Sequence, residues 1–327
     1  MRQRAFSAMR PTGLLHLGHY FGALANWVKM QETMECFFAV ADWHALTTNY
    51  DSPGNIKENT RQLVIDWLSV GLDPKKSTMI IQSQNPAHAE LFLLLGMITP
   101  ISWLERTPSY KEMQKELANK DLTNYGFLGY PVLMTSDIVL YDSDFVPVGL
   151  DQVPHVELSR EIVRRFHALY DRKVFVEPQP MLTKAPKLPG LDGRKMSKSY
   201  NNSITLGEDA ASVEQKLKRM VTDINRARRS DPGNPGLCPA FEYHKLFSTD
   251  EERAEIRKEC ATAAVGCIDC KAILIKHIQD FLDPIRDNRL RYEAEIKDVA
   301  EFLFDSQKKA NSVAEKTISR VKEALRI

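Results

Sequence analysis

Two short segments, far apart in the chain, carry residue types suited to nucleotide chemistry. His16-Leu17-Gly18-His19 lies near the N-terminus, and Lys195-Met196-Ser197-Lys198-Ser199 lies past the middle. In the first, His16 and His19 can donate hydrogen bonds to phosphate oxygens as negative charge shifts during a displacement, while Gly18 leaves the backbone open to a flat adenine. In the second, Lys195 and Lys198 suit the β- and γ-phosphates and the charge that gathers on leaving pyrophosphate, with Ser197 and Ser199 as further donors. Each alone has a bland reading, as histidines at a helix cap or as a solvated basic loop. Together, in this order, they predict activation of a carboxylate by ATP.

Such residues need a scaffold. Residues 4–9 read as a strand broken by the turn Arg10-Pro11-Thr12-Gly13, and a helix with Phe21, Leu24, Trp27 and Val28 on one side follows Gly18. Its N-terminal N–H groups would favour phosphate. Cys36-Phe37-Phe38-Ala39-Val40 reads as a buried strand, residues 55–70 as an amphipathic helix stopped near Gly71, and Ser77 to Gln82 as another strand. Phe145-Val146-Pro147-Val148 is a further strand with Gly149-Leu150-Asp151-Gln152 as its exit loop, before a helix to about Tyr170. Strands alternating with helices imply a parallel sheet with ligands at the carboxyl ends of its strands. Residues 86–140 interrupt the alternation with helices, and 177–200, rich in Pro, Gly and Lys, reads as a mobile loop. The expected fold is α/β: a Rossmann-like parallel sheet with a helical insertion in residues 1–203, then an all-α domain over 204–327.

Composition narrows the class. With 43% hydrophobic and 27% charged residues the chain reads as an ordinary globular protein, and its net charge of +1 leaves nucleic-acid binding to local patches. An apolar run of membrane-spanning length and a signal-peptide pattern are both lacking, so a cytoplasmic location is expected.

The two segments also carry a resemblance. HLGH is similar to the first signature of class I aminoacyl-tRNA synthetases, and KMSKS is identical to the second. Met9-Arg10-Pro11-Thr12-Gly13, the stretch Tyr130-Pro131-Val132-Leu133-Met134-Thr135-Ser136-Asp137-Ile138 and the stretch from Gly149 to Arg160 resemble internal motifs of bacterial tryptophanyl-tRNA synthetases. The resemblance implies two steps: the tryptophan carboxylate attacks the α-phosphate of ATP with Mg2+ assisting, and a ribose hydroxyl of tRNA(Trp) then takes the acyl group. His16, His19, Lys195 and Lys198 would be catalytic. The ATP site would comprise Arg10, Pro11, Thr12, Gly18, His19, Gly149, Leu150, Asp151, Leu188 and Lys195 through Ser199, Met196 included. Asp137 would accept the indole N–H, in a pocket shaped by Phe6, Tyr130, Met134 and Val146, with Gln152 holding the amino acid. For His155 local helix capping is the preferred reading. The family also dimerises through the region matching 86–140, which implies a homodimer.

Two further constellations remain. Cys238, Cys260, Cys267 and Cys270 are spaced C-x21-C-x6-C-x2-C. Four thiols suit a cubane iron–sulfur cluster, tetrahedral Zn2+ is the competing occupant, and buried apolar cysteines are the third reading. A subset of the tryptophanyl family carries a very similar pattern for a 4Fe-4S cluster. Residues 216–229 hold six cations, Lys216, Lys218, Arg219, Arg226, Arg228 and Arg229, against Asp223 alone. Contact with the tRNA backbone and a solvated helix face both fit this run.

Overall fold

The computed structural model describes residues 2–107, 110, 123–183 and 188–327. Parts of the segments read as a helical insertion and as a mobile loop, residues 108–109, 111–122 and 184–187, lie outside that set. Five strands, β1 (Arg4–Met9), β2 (Glu35–Val40), β3 (Thr78–Ile81), β4 (Phe145–Val148) and β5 (Gln179–Leu182), form one sheet in the order β3-β2-β1-β4-β5. Every pairing is parallel. This is a Rossmann-like α/β fold, and its chain reverses direction across the sheet between β1 and β4.

The strands form where apolar residues run without interruption. From Cys36 to Val40 every residue of β2 is buried, as a parallel strand covered on both faces requires. The helix Ile56–Ser69 covers one face. The Asn55 side chain accepts the Glu58 N–H at 3.2 Å at its start, and Gly71, at φ +104°, supplies the left-handed turn beyond its end. β5 corrects the reading of 177–200 as loop throughout. Pro180 breaks the usual strand pattern, but β5 is an edge strand and pairs only with β4, where a missing N–H is tolerated.

One defect in the sheet creates the site. β4 pairs with β5 over four positions but with β1 only at Ala5↔Phe145. Pro147 has no N–H to offer, so β1 and β4 part toward their carboxyl ends. The cleft between them sits where an open α/β sheet binds its ligands.

The C-terminal helices are seated on this core. At the β3 edge, Ser306 accepts the Met79 N–H at 2.7 Å and Gln307 accepts the Ile81 N–H at 3.0 Å, so the helix Phe304–Leu325 closes an exposed strand. The long helix Cys267–Glu295 buries Leu274, Ile278 and Leu282, and its C-terminal half lies against Ile56–Ser69. At that contact Arg289, 7% exposed, donates to Asp66, 1% exposed, and to Gln62. Asp66 also accepts the Leu15 N–H at 2.9 Å, just ahead of His16. Gly207 is glycine because a Cβ there would stand 2.4 Å from Arg289 Nε.

Replacing Arg289 by methionine would strand the Asp66 carboxylate. Breaking a buried pair this way costs about 3–5 kcal/mol, and urea denaturation of Arg289→Met is expected to show it; a loss below about 1 kcal/mol would remove the pair from the list of fold-defining contacts.

Candidate active site

The two signature segments meet through the backbone. The Leu17 N–H donates to the Ile204 carbonyl at 3.0 Å, and the Leu206 N–H donates to the Leu15 carbonyl at 2.9 Å. This short antiparallel contact ties the approach to His16 to the chain leaving the KMSKS loop. Lys198 then reaches the turn after β1, its Nζ donating to the Thr12 carbonyl at 3.2 Å. Gly13 has φ +102°, and a Cβ there would lie 3.6 Å from that ammonium. Met196 is buried, with its Sδ 3.4 Å from where a Gly18 Cβ would stand. Lys195 is exposed, Ser197 is half-buried, and the Ser199 side chain lies outside the described residues.

His16 and His19 stack at 3.8 Å between ring centroids. Burial, then the Lys198 charge, lowers His16 to about 4; burial, then His16 and Lys198, lowers His19 to about 3. Both rings are therefore neutral at pH 7. The His16 backbone N–H donates to His19 Nδ1 at 3.1 Å, which leaves the His19 proton on Nε2 as a donor. His16 Nδ1 is buried without a partner. A Cβ on Gly18 would come within 2.9 Å of His16 Cε1, so the glycine makes room for the imidazole itself, beyond the space foreseen for adenine.

Asn202, absent from the sequence reading, organises the second segment. Its Oδ1 accepts the Ser197 N–H at 2.8 Å, and its Nδ2 donates to Asp192 at 2.7 Å and to the Lys195 carbonyl at 3.1 Å. A Cβ on Gly190 would lie 2.2 Å from that Nδ2. The described part of the loop is thus cross-braced by a buried amide. Leu188, expected against adenine, is 8% exposed and belongs to the apolar core with Met196 and Leu206.

Between the carboxyl ends of β1 and β4 lies a cavity of about 430 Å³, the size of a small-molecule site. Phe6, Met134 and Val146 contribute apolar wall, and Tyr130, Gln152, Gly149 and Arg10 also line it. Gln152 donates to Asp151 at 2.8 Å and makes no side-chain cap of the helix Val153–Tyr170. Leu150 and Asp151 are exposed; Pro11 is buried and Thr12 exposed in the turn behind Arg10. His155 departs from the capping expectation: it is buried, lines the cavity and pairs through Nε2 with the Tyr130 hydroxyl at 3.1 Å.

Asp137 lines this cavity, 2% exposed, and meets three donors. His44 Nε2 stands 2.9 Å from Oδ2, His88 Nδ1 2.7 Å from Oδ1, and Gln82 Nε2 2.9 Å from both. Burial pushes the carboxyl up, but His88 and then His44 outweigh it and hold Asp137 at about 2. The site keeps a carboxylate anion inside an apolar wall. His44, Gln82 and His88 escape the sequence reading because each stands alone in its own segment. The one available signal is His88, which with Glu90 is one of two polar side chains in the largely apolar helix Ala87–Gly96, where it is fully buried.

The comparisons with known proteins fit this geometry. Residues 1–283 match the family described as tRNA synthetases class I (W and Y). The chain belongs to that family. A tryptophan–tRNA ligase of Thermotoga maritima is 51% identical over 99% of both chains, and one of Aquifex aeolicus is 43% identical over 99% of this chain and 100% of its own. Among solved structures, the tryptophanyl-tRNA synthetase of Campylobacter jejuni complexed with ADP and tryptophan superposes with a TM-score of 0.89 at 30% identity, covering 99% of this chain and 100% of that one.

Away from the synthetase cleft, Cys238, Cys260, Cys267 and Cys270 come together. Burial, then Cys238, Cys260 and Cys267, raises Cys270 to about 12, and its Sγ lies 3.2 Å from His244 Nε2. Arg226 Nη1 stands 3.9 Å from both Cys260 and Cys267 Sγ, and a Cβ on Gly233 would fall 2.6 Å from Cys260 Sγ. Four thiols and one guanidinium thus gather in one place. Among the described residues, however, no three His, Cys or carboxylate side chains already stand in ion-holding positions. Arg226 also donates to the Arg229 and Val265 carbonyls, at 2.7 and 2.9 Å, which commits it here rather than to an RNA backbone. Arg229 pairs with Asp269, Lys216 with Glu208 and Lys218 with Glu214.

The lowered histidines make a prediction about pH. His19 in the unfolded chain takes a proton near 6.5 and in the folded chain only near 3, so its contribution is present above pH 6.5 and lost as pH falls toward about 3. His16 acts in the same sense, toward about 4. Denaturation of His19→Gln between pH 7 and pH 4 is expected to show a shallower acid loss than the parent chain; identical slopes would contradict the burial of a neutral imidazole.

Proposed function

We propose that this chain is a tryptophan–tRNA ligase. It activates L-tryptophan with ATP to tryptophanyl-adenylate, releasing pyrophosphate, and transfers the acyl group to tRNA(Trp). The observation that carries this reading is the Asp137 carboxylate, held ionised at the apolar cavity between β1 and β4. An indole offers a large apolar face and one N–H, which suits apolar walls and a single acceptor. Family membership and the Thermotoga, Aquifex and Campylobacter relatives support the same substrate.

In the first step an oxygen of the tryptophan carboxylate attacks the α-phosphorus of ATP. The bond from that phosphorus to the bridging oxygen breaks, and pyrophosphate leaves with the electron pair. No side chain serves as nucleophile. Gln152 orients the amino acid, and Asp137 fixes its indole. His16 and His19 donate neutral N–H groups to the phosphates, so they bind without adding a titrating charge near pH 7. Lys195 and Lys198 take up the charge developing on pyrophosphate; Thr12, which receives Lys198 in the free chain, lies beside that path. Arg10 and Pro11 shape the turn over the nucleotide, Gly18 and Met196 its adenine side, and Gly149, Leu150 and Asp151 its ribose side. Mg2+ arriving with ATP would neutralise phosphate charge.

Residues 204–327 are the tRNA-reading part in this proposal, with Lys218, Arg219 and Arg228 as backbone contacts. The four cysteines would hold a 4Fe-4S cluster, with Zn2+ the alternative. Arg226 offsets its negative charge, and the bound centre would staple the start of the helix Cys267–Glu295 to Cys260 and Cys238. Homodimer formation would cover Leu93, Met97, Ile101 and Tyr125, which are 58%, 71%, 63% and 66% exposed on the helical insertion. Among the described residues no helix is long and apolar enough to cross a membrane.

Asp137→Ala is expected to lower tryptophan-dependent ATP–pyrophosphate exchange by about two orders of magnitude or more, since the site would lose its acceptor and the anchor of three donors. Exchange near the parent rate would refute the indole assignment. For the cysteines, protein purified without oxygen should contain iron and sulfide in equal amounts. Zinc in their place, or neither metal, would overturn the cluster.

A further inference from the structure

His88 stands behind Asp137, out of reach of the cavity. It is 0% exposed and bridges two groups: Nδ1 lies 2.7 Å from Asp137 Oδ1 and Nε2 lies 2.7 Å from the Tyr141 hydroxyl. An ionised carboxylate only accepts, so Nδ1 donates to Asp137, while Nε2 pairs with the Tyr141 hydroxyl. Tyr141 in turn receives the Asn85 amide at 3.4 Å. Every member of this relay is buried.

The stack around Tyr141 makes this chain rigid. Its ring lies 4.8 Å from Phe37 of β2 and 5.8 Å from Phe6 of β1, with interplanar angles of 18° and 9°. Phe6 is itself cavity wall. The backbone carbonyl of His88 accepts from Ser136 Oγ at 3.2 Å, which locks the helix Ala87–Gly96 to the residue before Asp137. His88 and Tyr141 thus act on the carboxylate from the side away from the cavity, while His44 reaches it from the cavity wall.

We infer that His88, oriented by Tyr141, is a positioning residue that fixes the Asp137 carboxylate and thereby sets discrimination for an amino acid bearing an indole N–H. The inference rests on the reading of Asp137 as the indole partner. His88 touches neither substrate nor nucleotide in this scheme. With the imidazole gone, His44 still meets only Oδ2 and Gln82 still spans both oxygens at 2.9 Å, so Oδ1 keeps a single, shared donor. Oδ1 would lose its shortest bond and with it a fixed orientation toward the cavity.

The test compares tryptophan with 3-benzothienylalanine, in which sulfur replaces the indole N–H at nearly unchanged shape. The readout is the ratio of kcat/KM values in ATP–pyrophosphate exchange for the two amino acids, a quantity that general loss of folded protein does not move. The parent chain should favour tryptophan by about a hundredfold. His88→Leu should cut that preference by about tenfold, through KM for tryptophan more than through kcat, while His88→Asn, with an amide N–H near the Nδ1 position, should restore most of it. Tyr141→Phe keeps the ring stack, removes only the hydroxyl, and should lower the ratio by about threefold; it stands in if His88→Leu does not fold. A preference unchanged in both His88→Leu and Tyr141→Phe, or equal losses for both amino acids, would overturn the role of His88. A parent chain that does not distinguish the two amino acids would instead overturn the Asp137 reading, and this inference with it.

Discussion

The contact on which the catalytic geometry depends is a pair of backbone hydrogen bonds, Leu17 N–H to Ile204 and Leu206 N–H to Leu15. They join chain segments nearly two hundred residues apart. Neither signature segment can reach a common triphosphate without them, because one follows β1 and the other follows β5 across the sheet. The contact is itself held from beneath. Asp66 takes the Leu15 N–H while Arg289 takes Asp66, so both backbone groups of Leu15 are committed before His16 begins. A neutral imidazole pair within reach of a lysine is tolerable only on such a fixed frame. A mobile loop would let water and protons in, and the histidines would return toward ordinary titration.

The cavity obeys a second constraint. An unpaired carboxylate in an apolar wall would protonate rather than stay charged. Three donors reach Asp137, from the helix Asp42–Asn49, from the turn after β3 and from the helix Ala87–Gly96, so the anion rests on elements that follow β2 and β3. The parting of β1 from β4 supplies space, and the donors supply charge stability. Space without the donors would be an oily slot for any large side chain. Donors without the space would be a buried polar knot with no ligand.

How much of this the sequence disclosed follows from how local each signal is. The apolar run Cys36–Val40 and the periodic helix Ile56–Ser69 are set by their own residues and are found where the pattern puts them. HLGH and KMSKS are legible because each packs its chemistry into a few consecutive residues. Asp137 emerged through the resemblance alone, since a carboxylate between apolar residues does not announce its partners. His44, Gln82, His88 and Asn202 were invisible, for each acts only on a residue brought near by folding. β5 was hidden by Pro180, whose cost depends on whether a strand is central or at the edge, and that is a property of the whole sheet. In the sequence Arg226 is one cation among six; only the fold sets it among thiols and carbonyls.

A last connection runs along the helix Cys267–Glu295. Cys267 and Cys270 occupy its first turn, and Arg289 lies 22 residues beyond Cys267, roughly 33 Å along the axis. Between them Phe281 packs edge-on against Tyr20, the residue directly after His19, at 5.0 Å. One helix therefore touches the thiol cluster at one end and the frame of the first signature at two points farther on. Pro284 lies between those two ends and withdraws one backbone N–H from the helix, so its two halves are held by their own packing rather than as one rod. The Arg289–Asp66 pair fixes the register of the C-terminal half of this helix on Ile56–Ser69, a register that two aliphatic residues filling the same space would leave free to slide.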